Sequence, residues 1–538
     1  MALTRHRATI LTTIPLLLVL LLLTNYHFNN KQQPQPTIIP SHLHRHLDFQ
    51  LHHPIQHPII SLINNATRNW NTKLKSQSMH LSDAIAEYRR RNRRNPPVGY
   101  DRWWAWASKN NVKLLDEYDS LHKAIRPFFA IPPPIFKQRL NALVSDQTKW
   151  SFMIFVISIR NGRLTLSAVS VSAKNYERHI QAVRNSTLLS AEEVEEVHDQ
   201  PGLHGWPNTC PPDSELRRDQ DGLQDISGRR YPFAQSYIDD PVAASNFCLH
   251  PDLVQLNGFL SAFTKLQGFA ELPLSPPSQF SQDAGSDPDW ESKNDALFWR
   301  GSTTGTFFSR LNNWRRSQRT RLVMFSNEPR GNVTVRTTNA HDEIEYFDGD
   351  TRELNARYFD VGFTNEPVQC DNTDGTCEAV RKTYVFKPYA NHSTSNQFNH
   401  YLMPGAMSRY LLDVDGNGWS GRFHRLMSTR SAILKRYSDR IQPWYHYIPV
   451  KVDYQDLYDM WVILFLEHFK SNMAFFVGDL KGQNGHDSMG KQIGEQGRMW
   501  THEYWRLTDM QAYMYLLLLE YNRLVYRDPL NLNSMDYS

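Results

Sequence analysis

The stretch Tyr410-Leu-Leu-Asp413-Val-Asp415-Gly416-Asn417-Gly418-Trp-Ser420-Gly421-Arg422-Phe423 constrains the fold more than any other part of the chain. Residues 410–414 form an apolar run that reads as a short buried strand. A loop follows with three glycines, two carboxylates, a serine and an arginine. Then Phe423, Leu426 and Met427 recur at helical spacing. Strand, glycine loop and helix in that order suit an anion. Glycine lets backbone N–H groups approach the ligand, and the helix N-terminus adds partial positive charge. Arg422 offers a two-pronged donor to the same anion. Four readings stay open on the loop alone. Asp413, Asp415, Asn417 and Gly418 match the opening of a calcium-binding EF-hand loop, but His424 stands where that loop needs glutamate. Asp413 and Asp415 also form the Asp-x-Asp of metal-dependent sugar transferases. The third reading is a metal-free diphosphate loop, and the fourth is an ordinary turn whose glycines serve backbone geometry.

The second half of the chain repeats this order of elements. Candidate strands fall at 296–299, 321–325, 358–363, 383–386, 410–414, 432–435 and 446–450, with helical patterns between several of them. Such alternation implies a parallel sheet with helices on both faces. Ligands of these sheets bind beyond the carboxyl ends of the strands, where the Asp-Val-Asp-Gly loop lies. A second glycine loop leaves another strand at Leu297-Phe-Trp299-Arg300-Gly301-Ser302-Thr303-Thr304-Gly305, and Arg310, Arg315 and Arg316 follow it. It lacks the Gly-x-x-x-x-Gly-Lys pattern of a P-loop and the Gly-x-Gly-x-x-Gly of dinucleotide binders. Anion loop and structural turn therefore both remain. Helical patterns at 457–476 and 499–525 close the chain, and the apolar run at 516–521 is too short to span a membrane.

The first half begins with Arg5 and Arg7 ahead of an almost purely apolar run at 10–23. Its length and positive flank fit an uncleaved signal anchor with the N-terminus in the cytoplasm. A cleaved signal peptide is the competing reading, but no small-x-small cleavage site follows. Residues 25–58, rich in Gln, Pro and His, read as a stem. Four Asn-x-Ser/Thr sequons, at Asn65, Asn185, Asn332 and Asn391, agree with a lumenal body. In an oxidising lumen Cys370 and Cys377 could close one loop, and Cys210 with Cys248 a second. No Cys/His zinc spacing is present.

Helical spacing follows at Ile60, Ile63, Ala66, Trp70 and Leu74, and again over 81–91. The second helix ends in an arginine cluster, read as a solvated face, before Pro96-Pro97. A further helix opens near Gly99 with Asp101 as its cap, and 115–125 continues in helical period. Asn161-Gly162 between two apolar runs signals a hairpin. Residues 207–240 read as loop and 275–289 as a hinge. The length of 538 residues fits roughly two or three domains. With 21% charged residues and a net charge of +4, the chain lacks the concentrated basic face of nucleic-acid binders.

Taken together, several segments resemble glycosyltransferase family 90, the fungal capsule-associated branch more closely than the animal protein O-glucosyltransferases. They are Glu87-Tyr-Arg-Arg-Arg-Asn with Pro96-Pro-Val-Gly-Tyr-Asp-Arg-Trp-Trp104, Glu117-Tyr-Asp, Phe298-Trp-Arg-Gly-Ser-Thr-Thr-Gly305, Tyr410 to Phe423, His446-Tyr-Ile-Pro-Val450, Tyr454-Gln-Asp-Leu457, Trp505-Arg506 and Leu519-Glu-Tyr-Asn-Arg523. The resemblance implies an α/β, GT-B-like fold, two Rossmann-like domains facing a cleft behind an N-terminal signal anchor and stem. It divides the chain into a cytoplasmic tail and anchor (1–24), a lumenal stem (25–58), an acceptor-side domain (59–274) and a UDP-sugar-binding domain with C-terminal helices (290–538). It implies a single-pass type II protein of the Golgi or ER membrane. Such an enzyme moves xylose or glucose, with inversion, from a UDP-sugar to a glycan or glycoprotein hydroxyl. It needs no metal and no cofactor beyond the donor. By the same resemblance Arg300, Gly301, Ser302, Gly416, Ser420, Arg422 and Phe423 hold the UDP, with Arg310 and Asp415 beside them. The family's catalytic base lies in an Asp-x-Pro context, matched here by Asp199-Gln200-Pro201, with Asp101, Asp239 and Asp240 as fallbacks. The alternative is an inactive lumenal relative that binds glycans or serves as a scaffold.

Overall fold

The computed structural model describes residues 56–138, 158–160, 163–165, 181–185, 187–190, 214, 283–310, 314–388, 405–416, 420–435, 440–451, 454, 456–457 and 472–537. The apolar run at 10–23, the stem up to residue 55, Asp199, Asp239, Asp240, Cys210, Cys248 and Asn391 lie outside them. Among the described residues no helix is long and apolar enough to cross a membrane.

Helix α1 (Pro58–Lys75) obeys its amphipathic period. Proline presets the first turn, the His57 ring accepts the Ile59 amide at 3.4 Å, and Ile59, Ile60, Ile63, Ala66 and Trp70 are buried. Helix α2 (Leu81–Asn92) stops where Arg93 turns left-handed, at φ 54°. Helix α3 (Tyr100–Lys109) is capped by Gly99 at φ +88°, not by Asp101, which sits inside the first turn. Only glycine takes that φ without strain. Helix α4 is shorter than its pattern and covers Asp119–Ile125. Strands β1 (Ser158–Arg160) and β2 (Arg163–Thr165) pair antiparallel around the Asn-Gly step, Arg160 facing Arg163.

The centre is a five-stranded parallel sheet. It comprises β3 (Asn294–Gly301), β6 (Phe359–Phe363), β7 (Ser408–Leu412), β8 (Ala432–Lys435) and β9 (Ile448–Pro449), in the order β6-β3-β7-β8-β9. Side chains alternate between two cores, as the strand period requires. Leu297, Trp299, Val361, Tyr410, Leu412 and Leu434 enter one core with α1. Leu411 and Ile433 enter the other with Phe423, Leu426 and Trp500.

Three elements differ from the sequence reading. Residues 321–325, expected as a strand, belong to helix α5 (Gln318–Asn327). That helix is buried nearly all round, so no polar face marks its period. A hairpin of β4 (Asn332–Thr338) and β5 (Ile344–Asp350) forms its own two-stranded sheet, unforeseen although β4 is rich in β-branched residues. The 383–386 run contributes a single bridge, Phe363 to Phe386, after helix α7 (Thr376–Thr383). Helices α6 (Thr351–Tyr358), α8 (Phe423–Met427), α9 (Asn472–Val477), α10 (Asp487–Tyr504) and α11 (Leu507–Tyr526) complete the described α-helices.

A second helical core joins distant parts of the chain. Helices α2 to α4 pack on α11, and the Trp103 indole N–H donates to the Ala512 carbonyl at 2.9 Å. Buried Glu520 accepts from the Tyr88 hydroxyl and lies 3.5 Å from Arg94 and from His122. Burial opposes the charge of Glu520, but Arg523 and Arg94, with the hydrogen bond from Tyr88, outweigh it and hold the carboxyl down at about 2. Two members of the arginine cluster are thus turned inward rather than solvated. Arg94 meets Glu520, and Arg91 meets Glu87 at 2.5 Å and Glu117 at 3.0 Å.

Candidate functional site

Two glycine loops leave the carboxyl ends of the adjacent strands β3 and β7 and meet. A Cβ built on Gly305, whose φ is +107°, would lie 3.4 Å from the carbonyl oxygen of Gly416. Gly301 covers the indole of Trp299, where a Cβ would come within 2.6 Å of the ring. Both positions therefore demand glycine, one for its backbone and one for its neighbour.

Arginines bind this junction together. Arg319, in the first turn of α5, is almost fully buried. It donates to the Ser302 carbonyl at 2.7 Å and the Thr304 hydroxyl at 2.6 Å on one loop, and to the Asp415 carbonyl at 3.0 Å and the Val414 carbonyl at 3.3 Å on the other. Gln318 also donates to the Asp415 carbonyl, at 2.8 Å. Burial, and then the charge of Arg422, push the Arg319 guanidinium down to about 10, so it stays charged at neutral pH. Arg422 reaches across from the second loop and donates to the Arg300 carbonyl at 2.5 Å and to Asp413 at 3.3 Å. Its remaining terminal nitrogen, Nη2, is buried with no hydrogen-bond partner among the described residues. Arg319 and Arg422 lie 5.7 Å and 5.8 Å from the Trp299 ring centroid. The indole N–H of Trp299 and the hydroxyls of Thr306 and Thr364 are likewise buried without a partner among the described residues. Buried polar groups are ordinarily satisfied, so these atoms are exceptions, and Arg422 Nη2 is the charged one among them.

The expected site residues fall as follows. Gly301 and Ser302 form the first loop, and Asp415, Gly416, Ser420 and Arg422 form the second. The Ser420 hydroxyl donates to Asp413 at 2.5 Å. Asp413, whose side chain is fully buried, braces the loop internally by accepting from Ser420 and Arg422 through one oxygen. Arg300 spends its guanidinium on protein partners. It grips both oxygens of Asp360 at 2.9 and 3.0 Å and donates to the carbonyls of Asp360, Trp299 and Pro388. Burial raises the Asp360 carboxyl, but hydrogen bonds from Lys387 and Arg300 prevail and hold it below the ordinary value. Phe423 is buried at the start of α8, its ring 5.7 Å from that of Trp505. Arg310 stands apart with an exposed side chain, and its amide donates to Asp374 at 2.8 Å.

Asp374 belongs to a small loop closed by the disulfide Cys370–Cys377. This loop lies along the far end of the first glycine loop. The Phe308 amide donates to the Gln369 carbonyl at 2.7 Å, the Asp371 amide to the Phe308 carbonyl at 2.8 Å, and the Thr303 hydroxyl to the Val368 carbonyl at 2.7 Å.

Arg319 and Trp299 were absent from the sequence-derived site. Trp299 was legible only as a strand residue. Arg319 sat just ahead of a run mistaken for a strand, so its place at a helix N-terminus went unseen.

A parallel α/β sheet that carries paired glycine loops and arginines at its carboxyl end belongs to a class that handles anionic ligands there. A family model described as Glycosyl transferase family 90 matches residues 268–537, half of the chain, including both loops. The chain belongs to glycosyltransferase family 90 and is, by that membership, a glycosyltransferase.

Proposed function

We propose that the protein transfers xylose or glucose from a UDP-sugar to a glycan or glycoprotein hydroxyl, with inversion, in the lumen of the Golgi or ER. The apolar run at 10–23 serves as its type II anchor and residues 25–58 as its stem. Residues 59–274 form the acceptor side and 290–538 the donor side of a GT-B-like cleft. The observation that carries this reading is the unpartnered Nη2 of Arg422 at the junction of the two glycine loops. A diphosphate oxygen satisfies it, and the fixed charge of Arg319 adds to the field.

As the bond between the sugar's anomeric carbon and the diphosphate breaks, negative charge grows on the leaving oxygen. Guanidinium groups already held in place stabilise that charge without reorganising. No divalent cation or other cofactor is required in this scheme. Gly301, Ser302, Gly416 and Ser420 supply the loop surface. Asp415, Phe423 and Arg310 flank it, and Arg300 supports it through Asp360 while offering its carbonyl to Arg422. Asp199 takes the acceptor hydroxyl proton as that oxygen attacks the opposite face of the sugar, which inverts the anomeric centre in one step.

Thermal melts of the purified full-length protein with UDP, UDP-xylose and UDP-glucose, with and without EDTA, test this scheme. A ligand that binds only the folded state raises the melting temperature by mass action. The expected result is a UDP shift that survives EDTA and vanishes in Arg422→Ala, with the true donor giving the larger sugar shift. No shift with any nucleotide would overturn the reading in favour of an inactive scaffold relative.

A further inference from the structure

We propose that Asn332 carries an N-linked glycan. The proposal rests on the lumenal placement proposed above. Asn332-Val333-Thr334 opens strand β4, and its extended backbone puts the side chains of positions 332 and 334 on one face and that of 333 on the other. The burial agrees: Asn332 is exposed, Thr334 is half-exposed and Val333 is buried at 7%. The Thr334 hydroxyl is held at 2.6 Å on Asp348 of the neighbouring strand.

The other described sequons lack this shape. Asn65 lies within the 18-residue helix α1, its amide oxygen accepts from Arg68, and the Thr67 hydroxyl is turned back to the Ile63 carbonyl at 2.9 Å. In a helix, residues two apart do not share a face. Asn185 ends a helical turn, accepts from Gln181 at 3.2 Å, and its Thr187 is bonded back to Ala182. Among the described sequons only Asn332 is exposed on an extended strand that puts the asparagine and the threonine on one face, although the hydroxyl of each of the three threonines is engaged.

The transfer needs a lipid-diphosphate-linked oligosaccharide, which the lumenal transferase machinery supplies. The carboxamide nitrogen of Asn332 attacks the anomeric carbon of that donor. A nitrogen–carbon bond forms, the carbon–oxygen bond to the lipid diphosphate breaks, and the amide proton passes to a base. The glycan then stands at one end of the hairpin, where Asn332 faces Asp350 on β5. Strand β5 is otherwise the less protected partner of a two-stranded sheet, and a bulky polar chain at its end blunts edge-to-edge pairing.

The test is to produce the full chain in a eukaryotic secretory host and release glycans with peptide N-glycosidase in oxygen-18 water. The tryptic peptide spanning 331–336 should convert Asn332 to labelled aspartate. Asn332→Gln and Thr334→Ala should each lose one mobility step, and Thr334→Ser should keep it. Asn332 unlabelled while Asn65, Asn185 or Asn391 is labelled overturns this proposal and leaves the lumenal reading standing. No labelled sequon at all, with the body open to protease outside sealed microsomes, overturns the lumenal reading itself and this proposal with it.

Discussion

Arg319 is the residue on which the two glycine loops depend. It is a short lever with four protein oxygens on it, two from each loop. A guanidinium spans them because its donors spread in a rigid plane, whereas an ammonium is a point charge. Arg319→Lys should therefore lower stability by about 1–3 kcal/mol as carbonyls lose their donors. It should also weaken UDP binding by at least about tenfold, or about 1.4 kcal/mol. Chemical denaturation and nucleotide titration check the two effects separately. Unchanged UDP affinity in a folded Arg319→Lys protein would show that the loops hold their spacing without it. Legibility at this scale was uneven. Gly301, Gly416 and Arg422 announce themselves because glycine and arginine after an apolar strand have a short list of uses. Arg319 does not, since one arginine in Gln-Arg-Thr-Arg looks like any other until the chain's path brings it between two loops. The burial of Arg300 against Asp360 was equally hidden, because the partner is 60 residues away.

Among the elements, the parallel strands were the most legible. Strand β7 and its glycine loop, β3 and β8 all lie where apolar runs meet turn residues. Helix α5 failed because burial on nearly every side erases the period that distinguishes helix from strand. The β4–β5 hairpin failed because its polar, threonine-rich strand carries no apolar run. The Cys370–Cys377 loop was legible from spacing, but its service to the first glycine loop was not. In the chain-entropy picture, closing eight residues contributes about 2.5 kcal/mol. Replacing both cysteines by serine should cost roughly that amount in denaturant melts. It should also reduce the UDP-induced thermal shift, because Asp371 and Asp374 no longer hold Phe308 and Arg310. A UDP shift of undiminished size in the double variant would confine the disulfide to a purely local role.

The whole molecule stores several buried neutral histidines. Burial, then Arg336 and His486, push His57 down to about 2, and burial, with Glu520 opposing it, leaves His122 at about 3. His446 is lowered in the same direction, chiefly by burial. Their unfolded value is 6.5, so below it the unfolded chain binds protons that the folded chain refuses. Stability is thus fully present above that value and drains away as pH falls below it. Between about pH 7 and about pH 6, His57 and His122 should together cost about 1.4 kcal/mol, near tenfold in the unfolding equilibrium. Denaturant melts at the two pH values measure it, and a flat profile would contradict the burial of these rings. The separation that hides such features from sequence also sets the order of events in folding. Tyr88 and Glu520 are 432 residues apart, and the Tyr537 amide donates to the Pro96 carbonyl at 2.8 Å. The helix that covers the apolar faces of α2 to α4 is made long after them. During translation those faces must wait uncovered while the intervening residues are made, which makes this region the natural client of chaperones and makes a stop anywhere between the two halves of this core damaging to both.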